Sequence, residues 1–299
     1  VSPVGLALPF KIGPVTLRRF FVWMSNDSVF FGRHGRKPLR KFWSALFAVA
    51  SIAGMTNLLL HFTAIAQVEP SAAAVPSDAE LDAMLAARNW TGLSAVLWAL
   101  RVDTAVRLQN WLHTRIVSTG GALLLDLVYI RNLWLAGNAK KIDDPVKDPL
   151  VNAGAMALYT YAIIIIDGSK CEDVSAPESR RMHLLTDYGE ALRFLKGRPA
   201  SVKSTAVDAA ISLEEMTAPV RKDDDLICRA GMAQIMAGLE RGTQQEIPNR
   251  PGVPGRSIGV TPPPDWAPKF ASPEVYKPKQ AEARAMMPEL LHNLMGLPH

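Results

Sequence analysis

The chain has 299 residues, of which 48% are hydrophobic and 20% charged, and a formal net charge of +5. Such a balance would suggest nucleic acid or an anionic membrane as a partner, but its distribution removes that reading for most of the chain. Residues 1–66 hold eight Lys and Arg against one Asp, which leaves 25 basic and 27 acidic residues in the remainder. No basic patch with interleaved aromatics occurs there, so nucleic-acid binding is not expected.

The chain opens on Val1, which a GTG start codon would explain, and Met24 offers a second start that makes residues 1–23 an upstream extension. A basic cluster follows (Arg33, Arg36, Lys37, Arg40, Lys41), and then an uncharged run of 25 residues that starts at Phe42 and ends at Ala66. Basic, then apolar, then small-x-small at Ala64-Ile65-Ala66 is the order of a secretory signal, with the cut after Ala66 and Gln67 as the new N-terminus. The alternative is an uncleaved anchor, since the run exceeds the roughly 20 residues a spanning helix needs. Asn57 and His61 weigh against it, because polar groups in hydrocarbon are costly. Either way the flanking positive charge stays cytoplasmic and the rest of the chain lies outside. The expected location is periplasmic or secreted, with a single-pass inner-membrane protein as the alternative. Membrane contact is then confined to the segment between Phe42 and Ala66.

Residues 67–76 read as a linker, and residues 77–242 as a helical domain. Ser77-Asp-Ala-Glu80 is a capping box opening a first helix. Leu93, Val96, Leu97 and Leu100 repeat the i, i+3, i+4, i+7 spacing of a second. A third carries Leu108, Trp111 and Leu112 and stops at Gly120-Gly121; a fourth runs through "LLLDLVYIRNLWLAG" to Gly137-Asn138. Asp148-Pro149 supplies an N-cap and a proline at the first helical position. The helix it opens is apolar nearly all round and is expected at the centre of the domain rather than across a membrane. The β-branched run 163–166 leaves a strand there as the minor alternative. Ser175-Ala-Pro-Glu178 reads as a second capping box opening one helix to Gly197, followed by helices around 204–215 and 224–241. The expected fold class is all-α, an irregular bundle or short helical array of seven or eight helices. Residues 243–299 contain 11 of the 22 prolines and read as a proline-rich tail unable to sustain helix or sheet until a short helix at 280–295, interrupted or kinked at Pro288.

Cys171 and Cys228 are the only cysteines. Two in an oxidising compartment predict one disulfide. No Cys-x-x-Cys or Cys/His cluster supports redox catalysis or structural zinc, so neither metal nor cofactor is expected. The marked nucleophile, zincin and phosphate-loop motifs are absent. The polar residues that stand out are Asp126, inside an apolar stripe, with Arg115 or Arg107 as its expected partner; Asp167, directly after the buried run; and His183 with Asp187, at i, i+4 on one helix. All four are weak catalytic candidates, and an ion pair is the simpler reading of the last two. Asp223-Asp224-Asp225 reads as a solvated helix start, since a calcium loop needs further oxygen ligands. The sequon Asn89-Trp90-Thr91 reads as chance in a bacterial protein, and Trp90, Trp98, Trp111 and Trp134 as packing. The expected role is an exported binding or envelope-interaction protein with protein partners in the cell envelope. A carboxylate-dependent envelope hydrolase and a membrane-tethered accessory subunit are the alternatives.

Overall fold

The computed structural model describes residues 76–98, 105–139, 142–145, 147–247 and 255–298. The expectations on Met24, the run from Phe42 to Ala66 and the cut at Ala64, Ala66 and Gln67 lie outside the described residues. The described part is mostly helical, with ten helices and one hairpin.

Helix α1 (Asp78–Ala86) starts at the expected capping box: Glu80 N–H donates to Ser77 Oγ at 3.3 Å while Ser77 N–H donates to Glu80 Oε2 at 2.7 Å. Two orphan donors are thereby satisfied reciprocally. Asn89 Oδ1 accepts from Gly92 N–H at 3.0 Å at the start of α2 (Trp90–Trp98), so the sequon asparagine acts as a helix cap. Helix α3 (Ala105–Thr119) buries Leu108, Trp111, Leu112 and Ile116. It ends at Gly120-Gly121, both left-handed at φ 77° and 62°. A Cβ on Gly120 would lie 2.5 Å from Arg221 Cα, so this turn admits only glycine for reasons of both torsion and space.

Helix α4 (Leu123–Ala139) packs against α5 (Pro149–Gly168), the centre of the domain. Asp148 caps α5, its carboxylate accepting from Leu150 N–H at 2.9 Å, and Pro149 occupies the first turn. Nearly every residue from Val151 to Gly168 is buried, as an apolar helix without a polar face requires. Residues 163–166 continue this helix rather than forming a strand, and Ile163, Ile164 and Ile166 are buried in it among the neighbouring helices. Among the described residues α5 is the one helix long and apolar enough to cross a membrane, and 89% of that stretch is buried within the domain.

Residues 175–197 form two helices, α6 (Ser175–Asp187) and α7 (Gly189–Lys196), where one was expected. The chain leaves the helix at Tyr188 (φ −115°, ψ 11°), which turns Ala191, Leu192 and Leu195 inward. Gly154 of α5 accommodates Leu195, whose Cβ would otherwise lie 2.7 Å from a side chain there. The second expected capping box is also corrected. Ser175 N–H and Oγ both donate to Asp173 Oδ1, at 3.0 and 2.6 Å, and no side-chain cap precedes α6.

Helix α8 (Ala200–Thr217) packs on α3 and α5. Residues 218–231 are an irregular segment, and the helix expected from 224 begins only at α9 (Met232–Arg241). Its first turn is capped from a distance: Met232 N–H donates to Ser175 Oγ and Ala233 N–H to Asp173 Oδ2, each at 2.8 Å.

Residues 243–299 differ most from expectation. Strand β1 (Thr243–Ile247) pairs antiparallel with β2 (Ser257–Thr261), Thr243 opposite Thr261 and Ile247 opposite Ser257. Helix α10 (Pro273–Met295) then runs 23 residues through Pro278 and Pro288 without stopping. An internal proline costs about 3 kcal/mol. Burial of Ala283, Met287, Leu291 and Met295 against α5 and α8 offsets it, at about 1.5–3 kcal/mol for each large side chain. Glu172 N–H donates to Lys269 O and Ala271 N–H to Lys170 O, so the chain preceding α10 is fastened to the body beside Cys171. Cys171 and Cys228 form a disulfide, their Cα atoms 5.3 Å apart.

Candidate functional site

The C-terminal end of α5 drives Asp167 into the interior, where it is 6% exposed. Arg221 reaches it from the segment after α8, Nε donating to Oδ2 at 2.7 Å. The same guanidinium donates through Nη2 to Glu214 Oε1 at 2.5 Å and through Nη1 to Thr217 Oγ1 at 2.8 Å and Glu214 O at 3.0 Å. Helix α10 closes the cluster: Gln280 donates to Asp167 Oδ1 at 3.0 Å and Arg284 to Glu214 Oε1 at 3.2 Å. The Tyr159 hydroxyl shares a hydrogen bond with Thr217 Oγ1 at 3.1 Å. Burial alone would lower the pKa of Arg221; the Asp167 charge and the carboxylate bonds reverse that and hold it above the usual range. A buried pair of this kind holds only where further hydrogen bonds use its donors and acceptors, and this guanidinium makes four.

Asp126, on α4, is fully buried, and neither carboxylate oxygen has a hydrogen-bond partner. The arginines expected for it serve other groups. Arg115 binds Asp82 through Nε at 2.6 Å and Nη2 at 2.5 Å, and Arg107 binds Asp78. Burial pushes the Asp126 carboxyl well above the usual carboxylate range; the neighbouring Asp224 charge adds to this, Arg221 opposes it, and Asp167 adds again.

The three consecutive aspartates are not a solvated helix start. Asp223 meets Lys170 Nζ at 3.1 Å. Asp224 caps α4 from across the fold, Oδ2 accepting from Leu123 N–H at 2.6 Å while Oδ1 accepts from Leu226 N–H at 2.9 Å. Burial nevertheless pushes its carboxyl up to about 6, against those two bonds. Asp225 accepts from Trp90 Nε1 at 3.0 Å and pairs with Arg229 at 3.2 Å. Each carboxylate holds a different part of the fold to the 218–231 segment.

The structure thus brings Asp126 and Asp167 around one arginine but closes them off from solvent. His183 and Asp187 are both exposed on α6, form no ion pair with each other, and take no part in the cluster. Among the described residues no group of three His, Cys, Asp or Glu side chains is arranged to hold a metal ion. Glu214, Arg221 and Gln280 do not stand out in the sequence. The available signal was the inward stripe Val207, Ala210, Glu214, Thr217 of α8, which continues the apolar face into polar residues.

A small crevice between α3, α4, α5 and α8 is lined by His113, Tyr129, Asn152, Met156 and Leu213. Asn152 is 1% exposed and neither atom of its carboxamide is bonded. Burial lowers the His113 pKa, which keeps the ring neutral. The free space there suits a water molecule rather than a substrate.

The remaining feature is a surface. Met232, Ile235, Met236 and Leu239 follow the i, i+3, i+4, i+7 spacing along α9, and each is 39–54% exposed. The opposite side of α9 packs on β2, Gly238 lying against Val260. Ile247 and Ile258 of the hairpin are exposed as well, and β1 is exposed along its length. No protein-family model matches the chain, and no curated protein or solved structure is similar to it.

Proposed function

We propose that this chain is an exported helical binding protein of the cell envelope, which docks an apolar segment of a partner protein on the outer face of α9. The observation that carries the reading is the stripe of Met232, Ile235, Met236 and Leu239, left half-exposed by a helix whose other side is packed. An amphipathic helix normally buries such a stripe. Two unbranched methionines in it suit a surface that adapts to its partner. The cap from Asp173 and Ser175 fixes one end of α9 and the hairpin its other side, so the face is presented on a supported element. Export is supported by the disulfide, which persists in oxidising compartments, and by the near-neutral charge of the chain beyond residue 66.

Two measurements test this reading. A photo-crosslinking amino acid at Ile235 should give a discrete envelope adduct that one at exposed Glu215 does not. Met236→Asp with Leu239→Asp should abolish it while leaving the helical circular dichroism unchanged. Equal labelling from both positions would sink the docking face. Intact mass of the envelope fraction should show a species beginning at Gln67 and lighter by two hydrogens before reduction. A membrane-bound species that retains Phe42 and Ala66 would replace cleavage with the anchored, accessory-subunit alternative.

A further inference from the structure

The buried cluster contains more acid than it can use. Arg221 already spends its Nε, Nη1 and Nη2 donors on Asp167, Thr217 and Glu214, and Asp126 receives no hydrogen bond at all. Around Asp126 stand Asp224 and Arg221 from the 218–231 segment and Asp167 and Tyr159 from α5. Arg180 of α6 faces Asp224 and donates through Nε to Leu226 O at 2.7 Å. Lys170 is drawn to Asp223 at 3.1 Å and to Asp167 at 3.9 Å. None of these cations serves Asp126 directly. An ionised, unpaired carboxylate in that position would be strongly destabilising.

We propose that Asp126 keeps a proton in the folded domain and acts as the catch of a pH-sensitive latch, its ionisation releasing the 218–231 segment from the start of α4. The segment is held there by two contacts beside Asp126. Asp224 caps Leu123 N–H at 2.6 Å, and the Gly120 turn sits directly on the Arg221 backbone. Gly121 faces Asp126 as well, a Cβ on it falling 3.4 Å from Oδ1. Two carboxylates in one site do not readily ionise together. Asp224, which titrates at about 6, loses its proton first, and its charge then helps to retain the proton on Asp126. Release is local because Cys228 remains bonded to Cys171. Since α9 begins at the end of this segment, the latch also governs how freely the apolar face moves; that consequence rests on the docking reading, whereas the latch does not.

The sign of the effect follows from linkage. The closed state holds the Asp126 proton, and below about pH 6 the Asp224 proton as well, both of which the open state gives up above about pH 4. The opening constant therefore rises with pH by more than tenfold per unit up to about 6 and by about tenfold per unit beyond, until Asp126 titrates in the closed state. Amide hydrogen exchange on the full chain between pH 5 and 8, corrected for intrinsic rates, reads this at Leu123 and Leu226, with Ile163 in α5 as the internal reference. Opening at Leu123 and Leu226 should rise with pH, including above pH 6 where Asp224 is already ionised, while Ile163 stays constant. Asp126→Asn should remove the rise above pH 6. A flat wild-type profile, an unchanged slope in the variant, or a parallel rise at Ile163 would each overturn the latch. If Asp126→Asn does not fold, the carboxyl carbon resonance of Asp126 in the native protein decides: a midpoint in the ordinary range near 4 rejects the proposal, and a midpoint above 6 supports it.

Discussion

Arg221 stands between two buried carboxylates. Its guanidinium binds Asp167 and Glu214, with the side chains of all three at most 7% exposed. Arg221→Met should therefore cost about 3–5 kcal/mol, the range for leaving a buried charge uncompensated, measured by urea unfolding. Arg221→Lys should recover little of it, because a single ammonium cannot reproduce a planar fork that donates in three directions. Titrating groups pull stability in opposite senses. Bonds from Arg115 hold Asp82 below its usual range, and although burial works against it, bonds from Ser175 and Ala233 do the same for Asp173. Those contributions are present above the unfolded value near 4 and are lost as pH falls. Asp126 and Asp224 are raised, so theirs are full below about 4 and lost as pH rises, Asp224's by about pH 6. The shift of Asp224 amounts to at most about 3 kcal/mol. The thermal midpoint should accordingly peak between about pH 4 and 6, and a plateau extending to pH 8 would contradict this balance.

At the scale of elements, what could be read from the chain was what is encoded locally. The Ser77 box, the Asp148-Pro149 start and the uniformly apolar α5 each depend on residues within one or two turns, and each is present. Asp126 and Asp167 stood out because a carboxylate in or beside an apolar run is anomalous. Their surroundings were not legible, since Arg221 and Gln280 lie 54 and 113 positions from Asp167 and no periodicity links them. The same holds for Ser175, which looked like the cap of its own helix and instead caps α9 across 57 positions. The tail misled for a different reason. Proline content measures local cost, and α10 shows that cost overridden by burial against two other helices. Gly120→Ala tests the tightest local constraint: at φ 77° against the Arg221 backbone it should cost more than the about 1–3 kcal/mol of torsional strain alone, read as a fall in melting temperature.

For the whole molecule, the last helix belongs to the core. Gln280, Leu291 and Met295 are buried, and Lys203 of α8 donates to Met295 O at 3.0 Å. Deleting residues 272–299 should abolish cooperative unfolding rather than leave an intact body, with near-ultraviolet circular dichroism as the measure. The disulfide should contribute less absolutely. Closing 57 positions is worth about 4 kcal/mol on the chain-entropy account, so Cys171→Ser with Cys228→Ser should lower stability by about that amount while the fold persists at low temperature.

Asp167 lies at the end of the central helix, but it meets Gln280 only after another 113 residues have been made. During synthesis, therefore, the part of α5 that α10 covers stays open until residue 280 has been made, although its other neighbours are already in place. Until then the seal over Asp167 is missing, and this late-closing order leaves the nascent chain an interval in which a chaperone can guard it.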